Sequence, residues 1–562
     1  MTAVASCGPV PSSRLPSLVP EGLGGVGQAR AAGSRIGRAD SRAAGVGIAA
    51  FTFSVAVASS WTTARRPTPA GPGRRRGRLG RRQGSVEMQA GAGRDAGRQR
   101  ILVVGGGVGG FNLALRLAEM PWPVGGGRPP PQIMVVDPKD RFVFTPLLAD
   151  YAISGVIELD EFAPRYSELF AHAARDRAYI PGSTQAEVEH LRGSIKRISW
   201  RRRVATLCTS TGEEQSLEFD VVVVSPGLLA APDTAMSMGL ELPSGPTAGV
   251  LTFSSLDDGE KLREWLQDGN AEVGATRRLA VVGAGYVGAE VAASVAALET
   301  RAPSVALFGS SLLRGSEPAN QRRVAESLEA LGVVRKLGRV LSVFSGGLLW
   351  RSDAPTPGAA ETNESQQHDC DLVIVTGGAA TPFAGCELEP APTDKTSSGA
   401  VPVDGYLRIA PGIFCIGDAA AVEGSPPTGQ AAMQQAEIAA WNIFAQCTGM
   451  PRPKWRKYTP SAMGEFVTLG SKDAAAVVAP ARLAKLLPPA LPPTAAAAVA
   501  PFLAAVAATG AGEAARVDLG GTPAALLRRL SYLYRMPTLG HRAWVAQRWA
   551  ERAEQLGVAL PS

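Results

Sequence analysis

From Gln99 onward the chain alternates short β-branched runs with glycine-rich turns and stretches whose apolar residues recur at helical spacing. ILVVGGGVGGFNLALRLAEM, starting at Ile101, is one strand–turn–helix unit, and LAVVGAGYVGAEVAASVAAL, starting at Leu279, is a second. Strands that alternate with helices predict α/β architecture, with two Rossmann-like dinucleotide-binding domains built on parallel sheets. GGGRPPP (125–131) and SGGLLWRSDAPTPGAAETNES (345–365) are read as surface loops or insertions. The Ala- and Pro-rich stretch 474–514 is read as a low-complexity insertion in the C-terminal region. After it, AALLRRLSYLYRMPTLGHRAWVAQRWAERAEQL combines helical apolar spacing with Arg, Tyr and Trp, so the C-terminal region is expected to be mainly helical.

Composition changes this picture at the N-terminus. Residues 1–98 hold 15 Arg, no Lys and four acids (Glu21, Asp40, Glu87, Asp95), a balance of +11. The whole chain carries +7, so subtraction leaves −4 for the remainder, and the excess charge belongs to a leader and not to a nucleic-acid-binding face. An Arg-, Ala- and Ser-rich, acid-poor leader has the composition of a targeting segment. The uncharged stretch Ala43–Ala64 is read as the apolar core of that leader in preference to a transmembrane helix, because Gly, Ser and Thr run through it. The six cysteines (7, 208, 370, 386, 415 and 447) show no C-x-x-C and no Cys/His ligand spacing. No disulfide framework, metal site or redox dithiol is therefore expected, and Cys415 reads as core.

The first turn is Gly105-x-Gly107-x-x-Gly110. Here Gly105 permits the tight turn, Gly107 lets main-chain amides reach a pyrophosphate, and Gly110 lets helix pack on sheet. The next strand, QIMVVD, ends in Asp137, which is placed to accept ribose hydroxyls. The second turn is Gly283-x-Gly285-x-x-Gly288-x-Glu290. Two such turns predict two dinucleotides, a resident flavin and an exchanging nicotinamide. The strand EFDVVVVSPG, ending at Gly227, is a candidate to close the first site. GIFCIGDAAA (412–421) brings Gly417 and Asp418 to a strand end, where Asp418 can bond a flavin's ribityl chain. After the second turn the strand SVALFGSSLLRG carries Ser310 and Arg314 where an NAD-specific site would place an acid, so NADPH is expected to serve at least as well as NADH.

Together these motifs resemble the two-dinucleotide-binding flavoproteins. Within that superfamily the chain is similar to type II NAD(P)H:quinone dehydrogenases, and to their type C branch from plant plastids and mitochondria and from cyanobacteria. DRFVFTPLLADYAISG (140–155) resembles the family's flavin-contacting segment, usually aromatic-x-x-Pro-Leu-Leu-Tyr and here Phe144-Thr145-Pro146-Leu147-Leu148-Ala149-Asp150-Tyr151. GQAAMQQA (429–436) resembles its quinone-site motif, with Gly429 in place of the usual Ala and with Gln430 and Gln434 on one helical face. FAPRYSELF (162–170), MGEFVTLG (463–470) and LLRRLSYLYRMPTLGHR (526–542) resemble the type C branch.

The resemblance implies non-covalent FAD, NADPH or NADH as substrate, and hydride passage through FAD to a membrane quinone without proton pumping. A plastid naphthoquinone such as demethylphylloquinone, plastoquinone or ubiquinone is the implied acceptor. Glu290 is implied beside the flavin and quinone as a proton relay, with a helix-dipole role as its alternative. The expected organisation is a leader 1–98, an FAD domain in two parts (99–247 and 386–450), an NAD(P)H domain 248–385 inserted between them, and a membrane-association region 451–562. In that region Arg528, Arg529, Tyr532, Tyr534, Arg535, Trp544 and Trp549 are expected to meet the membrane surface or else to pack on the protein's own core. The implied location is the plastid, with the mitochondrion as alternative, and peripheral on the membrane. Oligomeric state is not legible, a homodimer staying open. The competing function class is a nicotinamide-sensing flavoprotein that regulates a partner with little turnover.

Overall fold

The structure, a computed structural model, describes residues 98–123, 129–177, 186–230, 240–241, 248–268, 276–300, 302–353, 365–377, 379–380, 387–389, 396, 399–462, 464–479 and 516–555. The leader, with its Ala43–Ala64 stretch, and residues 480–514 of the Ala/Pro-rich segment lie outside the described residues.

The first sheet has nine strands. Its parallel centre runs, in space, Ile413–Cys415, Val221–Val224, Arg100–Val104, Gln132–Asp137 and Glu187–Ser199. Glu187–Ser199 then pairs antiparallel with Val204–Thr209, which pairs with Glu214–Glu218. Val221–Val224 and Ile413–Cys415 are buried at every position, as an unbroken β-branched and apolar run demands when helices cover both faces. Because Ile413–Cys415 pairs with Val221–Val224, the chain leaves this sheet after Val224, builds a second one, and returns.

The second sheet has seven strands in the order Gln366–Asp369, Gly347–Ser352, Val334–Phe344, Ser304–Gly309, Arg278–Val282, Leu372–Val375 and Val250–Thr252. The last five are parallel; the first three form an antiparallel meander. This corrects the reading of 345–365 as loop. Gly347–Ser352 pairs with Val334–Phe344 across a turn at Gly346 (φ +89°), and Leu348 and Trp350 are buried against Phe308. The glycines of the turn and the Pro-rich stretch beyond hid a short strand that buries Leu348 and Trp350.

Beyond Pro460 a three-stranded antiparallel sheet, Gly464–Thr468, Ala474–Val478 and Val517–Gly520, precedes the helices Gly521–Arg535 and Leu539–Gln555. Two expectations need correction. First, Ala474–Val478 is not insertion but the middle strand, buried at all five positions. Its alanines are small enough for Ala524 and Ala525 of the following helix to pack on the same layer. Second, most of the basic and aromatic residues expected at a membrane face inward. Arg528 is 1% exposed, Arg535 6% and Trp549 7%, and Tyr532 packs against Phe144 and Phe466. These helices dock on the protein's own core and leave Tyr534, Leu539 and Trp544 exposed. No helix among the described residues is long and apolar enough to cross a membrane.

Both glycine turns follow one steric rule. Gly105 and Gly283 sit at φ +98° and +111°, and a Cβ on Gly110 or Gly288 would lie 1.9 or 1.7 Å from the carbonyl oxygen of Gly105 or Gly283. Gly288→Ala is therefore expected to lower stability by about 3 kcal/mol, the upper end of ordinary overpacking. A Cβ at Gly285 meets nothing within 4 Å and its φ is −78°, so Gly285→Ala should stay within about 0.5 kcal/mol of the parent in thermal or denaturant melts. Equal melting of the two variants contradicts this packing account.

Candidate functional site

A cleft with about 810 Å³ of empty volume opens at the carboxyl ends of the first sheet's parallel strands, the usual ligand position in such sheets. The first glycine turn contributes Gly107 and Gly109, the second strand Asp137, and the next segment Thr145. Ser225 and Gly227 follow the strand Val221–Val224, and Gly417, Asp418 and Gly429 close the far side. Thus Gly107, Asp137, Thr145, Gly227, Gly417 and Asp418, dispersed over more than 300 positions of sequence, line one cleft. Gly105 and Gly110 shape the turn from behind, and Pro146 gives its carbonyl to Arg528.

Asp137 does more than face the cleft. Its Oδ2 accepts the Gly106 N–H (2.8 Å) and its Oδ1 the Lys139 N–H (2.9 Å), so the carboxylate also braces the turn. The Tyr166 hydroxyl donates to Gly106 O at 2.9 Å, and burial, with Asp137 and Asp140 beside it, raises the phenol well above its ordinary value and keeps it a neutral donor. At the far side Gln435, 2% exposed, accepts the Gly417 N–H on Oε1 at 2.7 Å and so fixes the Gly417–Asp418 turn. The motif reading singled out Gln430 and Gln434 and passed over this third amide; the Gln434–Gln435 doublet was its only sequence signal.

The cleft fits FAD on features of its own. A Cβ at Gly107 would meet nothing within 4 Å, so main chain is open to the cleft there, and the helix Val108–Glu119 begins without a side-chain cap. That leaves its first amides for an anion such as pyrophosphate. Burial raises the Asp418 carboxyl, and among the described residues no hydrogen-bond donor meets it, as suits a group reserved for ligand hydroxyls. The helix Gly429–Cys447, capped by the Thr428 side chain, presents the positive end of its dipole at Gly429 and Ala432.

In the second sheet Gly283, Gly285 and Gly288 repeat this turn, again with no side-chain cap at Gly285 and with open space above it. At the end of the adjacent strand Ser304–Gly309, Ser310, Ser311 and Arg314 are all exposed and no acid stands among them. A side chain at Gly309 would press on Ala284 of the turn, its Cβ only 2.6 Å from that of Ala284.

Glu290 lies one helical turn into the helix Tyr286–Ala296 and is not a surface residue. Its Oε1 accepts the Thr468 N–H (2.9 Å) and lies 3.8 Å from the Arg528 guanidinium. Arg528 in turn donates to Asp150 Oδ2 (2.7 Å) and Pro146 O (2.6 Å) and lies over the Tyr532 ring at 4.8 Å. Asp150, 1% exposed, also faces Arg529 at 3.7 Å. Burial raises the Glu290 carboxyl above its ordinary value, while Arg528 and the Thr468 N–H pull the other way. Burial opposes charge on Arg528, and Asp150 and Glu290 outweigh it and hold the guanidinium protonated. Asp150 was not picked out in the sequence; it opens the π-helical turn Asp150–Ser154, at the two residues this chain adds between Leu148 and Tyr151 relative to the resembled motif.

Gln430 and Gln434 do share a face of their helix, and both use Nε2 on the next segment, Gln430 toward Gly464 O (3.0 Å) and Gln434 toward Ser461 O (2.7 Å). The structure therefore joins the glutamine helix, Glu290 and the C-terminal helix through one strand, Gly464–Thr468. Among the described residues the cysteines are free and no group of metal ligands occurs. Burial pushes the Cys370 and Cys447 thiols up to about 11 and 12, and that of Cys415 up as well, so none is a ready thiolate.

Comparison with known proteins agrees with this geometry. The chain is 27% identical to demethylphylloquinone reductase NdbB of Synechocystis, over 81% of this chain and 96% of that one. It is 28% identical to the alternative NAD(P)H-ubiquinone oxidoreductase C1, chloroplastic/mitochondrial, of Arabidopsis thaliana, over 83% of each. Among solved structures, NDH2 of Plasmodium falciparum in complex with NADH superposes with a TM-score of 0.60 at 14% identity, covering 83% of this chain and all of that one, a likeness of fold. The pyridine nucleotide-disulphide oxidoreductase profile matches residues 99–436, which take in both glycine turns, the Gly417–Asp418 turn and the glutamine motif. More than half of this chain, carrying every one of those turns in order, belongs to the pyridine nucleotide-disulphide oxidoreductase family.

Proposed function

We propose that this chain is an FAD-dependent NAD(P)H:quinone oxidoreductase of the type II kind, acting at a plastid membrane in preference to a mitochondrial one. The observation that carries the reading is two separate nucleotide turns, one on each sheet, with a buried carboxylate behind the second and no thiol pair among the described residues to receive electrons. Two relatives that match over most of their length are named as NAD(P)H- or quinone-linked reductases, and the Arg-rich leader supports organelle targeting.

In this reading Gly105, Gly107, Gly110 and Asp137 hold the dinucleotide end of FAD, Gly227 and Thr145 border it, and Asp418 takes the ribityl hydroxyls. When bound, FAD accepts hydride from the nicotinamide and delivers electrons to the quinone. Gly283, Gly285 and Gly288 seat NAD(P)H, and the N-terminus of helix Gly429–Cys447 favours negative charge at the cleft. Gln430 and Gln434 border the quinone through the segment they pin at Ser461 and Gly464. Quinone reduction consumes protons, and Glu290, its proton affinity raised by burial, is the group we assign to supply one.

The deciding experiment is steady NADPH oxidation driven by a panel of short-chain naphthoquinones, benzoquinones and plastoquinone analogues; a single turnover without quinone dependence would make the protein a sensor instead. A raised carboxyl keeps its proton to higher pH than an ordinary glutamic acid. The quinone-dependent rate should therefore fall as pH rises through an inflection above the usual carboxylate range. Glu290→Gln should abolish that inflection and slow quinone reduction by about 100-fold, the lower range of general acid catalysis, while NADPH still bleaches bound flavin. An unchanged pH profile in the variant removes Glu290 from the role.

The strand end around Ser310 and Arg314 suits a 2′-phosphate, with small hydroxyls for room and a guanidinium for charge. NADPH should be used at least as well as NADH, and Ser310→Asp should shift the kcat/KM ratio toward NADH by about tenfold, or ~1.4 kcal/mol. Wild-type preference for NADH by tenfold would refute this.

Membrane attachment in this reading rests on Tyr534, Leu539 and Trp544, which remain exposed when the rest of the C-terminal helices turn inward. Aromatic and apolar side chains of this kind enter the headgroup boundary. Replacing all three with Ser should reduce co-sedimentation with anionic liposomes by about tenfold, given ~25 cal/mol per Å² of apolar area withdrawn from water. Wild-type protein that stays in the supernatant rules the attachment out.

A further inference from the structure

The loop after strand Ser304–Gly309 is held from two sides. On one, the Leu313 N–H donates to Ala284 O in the second glycine turn at 2.8 Å. Leu313 is fully buried at φ +47°, a left-handed conformation that a leucine adopts only where its surroundings hold it. On the other side stands Glu465, in the strand Gly464–Thr468 of the C-terminal sheet. Its Oε2 accepts the Ser316 Oγ hydroxyl (2.5 Å), the Glu317 N–H (3.1 Å) and the Asn320 side-chain amide (3.2 Å). Ser316 and Asn320 are buried, so these bonds are sheltered from water. Gln321 closes the loop on itself by donating to Leu313 O (3.0 Å) and Ser316 O (3.3 Å).

Between the two anchors is Arg314. It is exposed, and among the described residues no group bonds or pairs with its guanidinium. A long cationic side chain on a mobile loop loses much of its binding energy to the entropy of being held in place. On a backbone pinned at Leu313 and again at Ser316 and Glu317, that loss is reduced before any ligand arrives.

We propose that Glu465 is a positioning residue for nucleotide choice: by clamping Ser316, Glu317 and Asn320 it fixes the backbone that carries Arg314 beside the Ser310–Ser311 strand end, where the 2′-phosphate of NADPH binds. The inference rests on the reading of Ser310 and Arg314 as a phosphate site. It assigns to a residue of the C-terminal sheet, 155 positions beyond Ser310 in the chain, a part in a choice made at the second sheet.

The test uses the full chain with two probes, adenosine 2′,5′-bisphosphate, which carries the 2′-phosphate, and ADP, which lacks it. Their dissociation constants are measured by calorimetry for the parent, Arg314→Ala, Glu465→Ala and the double variant, and NADPH and NADH kinetics are run in parallel. Loss of one charge-assisted contact is worth about ten- to a hundredfold in affinity, so Arg314→Ala should weaken the bisphosphate by that much and ADP by less than about twofold. Glu465→Ala should weaken the bisphosphate by about tenfold with ADP again spared, and the double variant should bind no more weakly than Arg314→Ala alone, because the clamp acts only through that arginine. KM for NADPH should rise with it while kcat for both nucleotides stays put. Glu465→Gln keeps one acceptor oxygen, should fall between parent and Ala, and carries the test should the Ala variant fail to fold. Equal weakening of both probes in the Glu465 variants, or effects that add in the double variant, overturns the proposal as mere loop stability. A bisphosphate affinity sensitive to Arg314 but not to Glu465 overturns it alone, whereas one insensitive to Arg314 overturns the phosphate site and the clamp together.

Discussion

A guanidinium almost wholly withdrawn from water needs anions and acceptors around it, and Arg528 draws them from two distant parts of the chain and from its own helix. Asp150 and the Pro146 carbonyl come from the segment beside the flavin cleft, Glu290 from the helix of the second glycine turn, and Tyr532 from one turn further along its own helix. Removing one member of such a group leaves another charge buried without compensation, at a cost of about 3–5 kcal/mol. The C-terminal helices therefore complete the carboxylate environment of the site. The same helices are latched at their far end, where the fully buried Glu161 carboxylate receives Arg552 (2.7 Å) and Trp549 Nε1 (3.3 Å).

What the sequence made legible follows from how local its cause is. The two glycine turns were readable because each glycine answers a clash within a few residues of itself: Gly110 and Gly288 face the carbonyls of Gly105 and Gly283, five positions back. The return of Gly417 and Asp418 to the first site was readable because the motif follows the second glycine-turn unit, in the order that an inserted domain requires. Ala474–Val478 was misread because low complexity and a buried strand are both built from Ala and Val, and only its neighbours Gly464–Thr468 and Val517–Gly520 tell them apart. The Arg, Tyr and Trp content of Gly521–Arg535 suggested a surface, yet the cation of Arg528 is paired by residues 378 positions away, a fact no local pattern contains. Gln435, Asp150 and Glu465 went unnoticed for the same reason. Each is a single polar residue whose meaning depends on the partner it meets.

Family membership and chemistry also separate here. The matched family is named for disulphide oxidoreduction, while the described thiols of this chain are dispersed and burial raises those of Cys370, Cys415 and Cys447. Two nucleotide turns are present, no thiol pair occurs among the described residues, and other polar groups gather beside the turns. The strand Gly464–Thr468 is where they gather: Gln430 bonds Gly464 O, Glu465 clamps the loop after the second turn, and the Thr468 N–H reaches Glu290. One five-residue strand thus touches the amide, nucleotide and carboxylate sides of the proposed reaction.

The latching of the site by Arg528 also bears on how the protein is made. Asp150 and Glu290 leave the ribosome well before their cation does, and until the helix Gly521–Arg535 exists their final positions are electrostatically unaffordable. The nascent chain must keep both carboxylates hydrated, and with them the segment 140–155 and the start of the second helix layer, for the time it takes to synthesise more than 200 further residues. A chain truncated before residue 528 keeps both carboxylates and lacks the guanidinium they face.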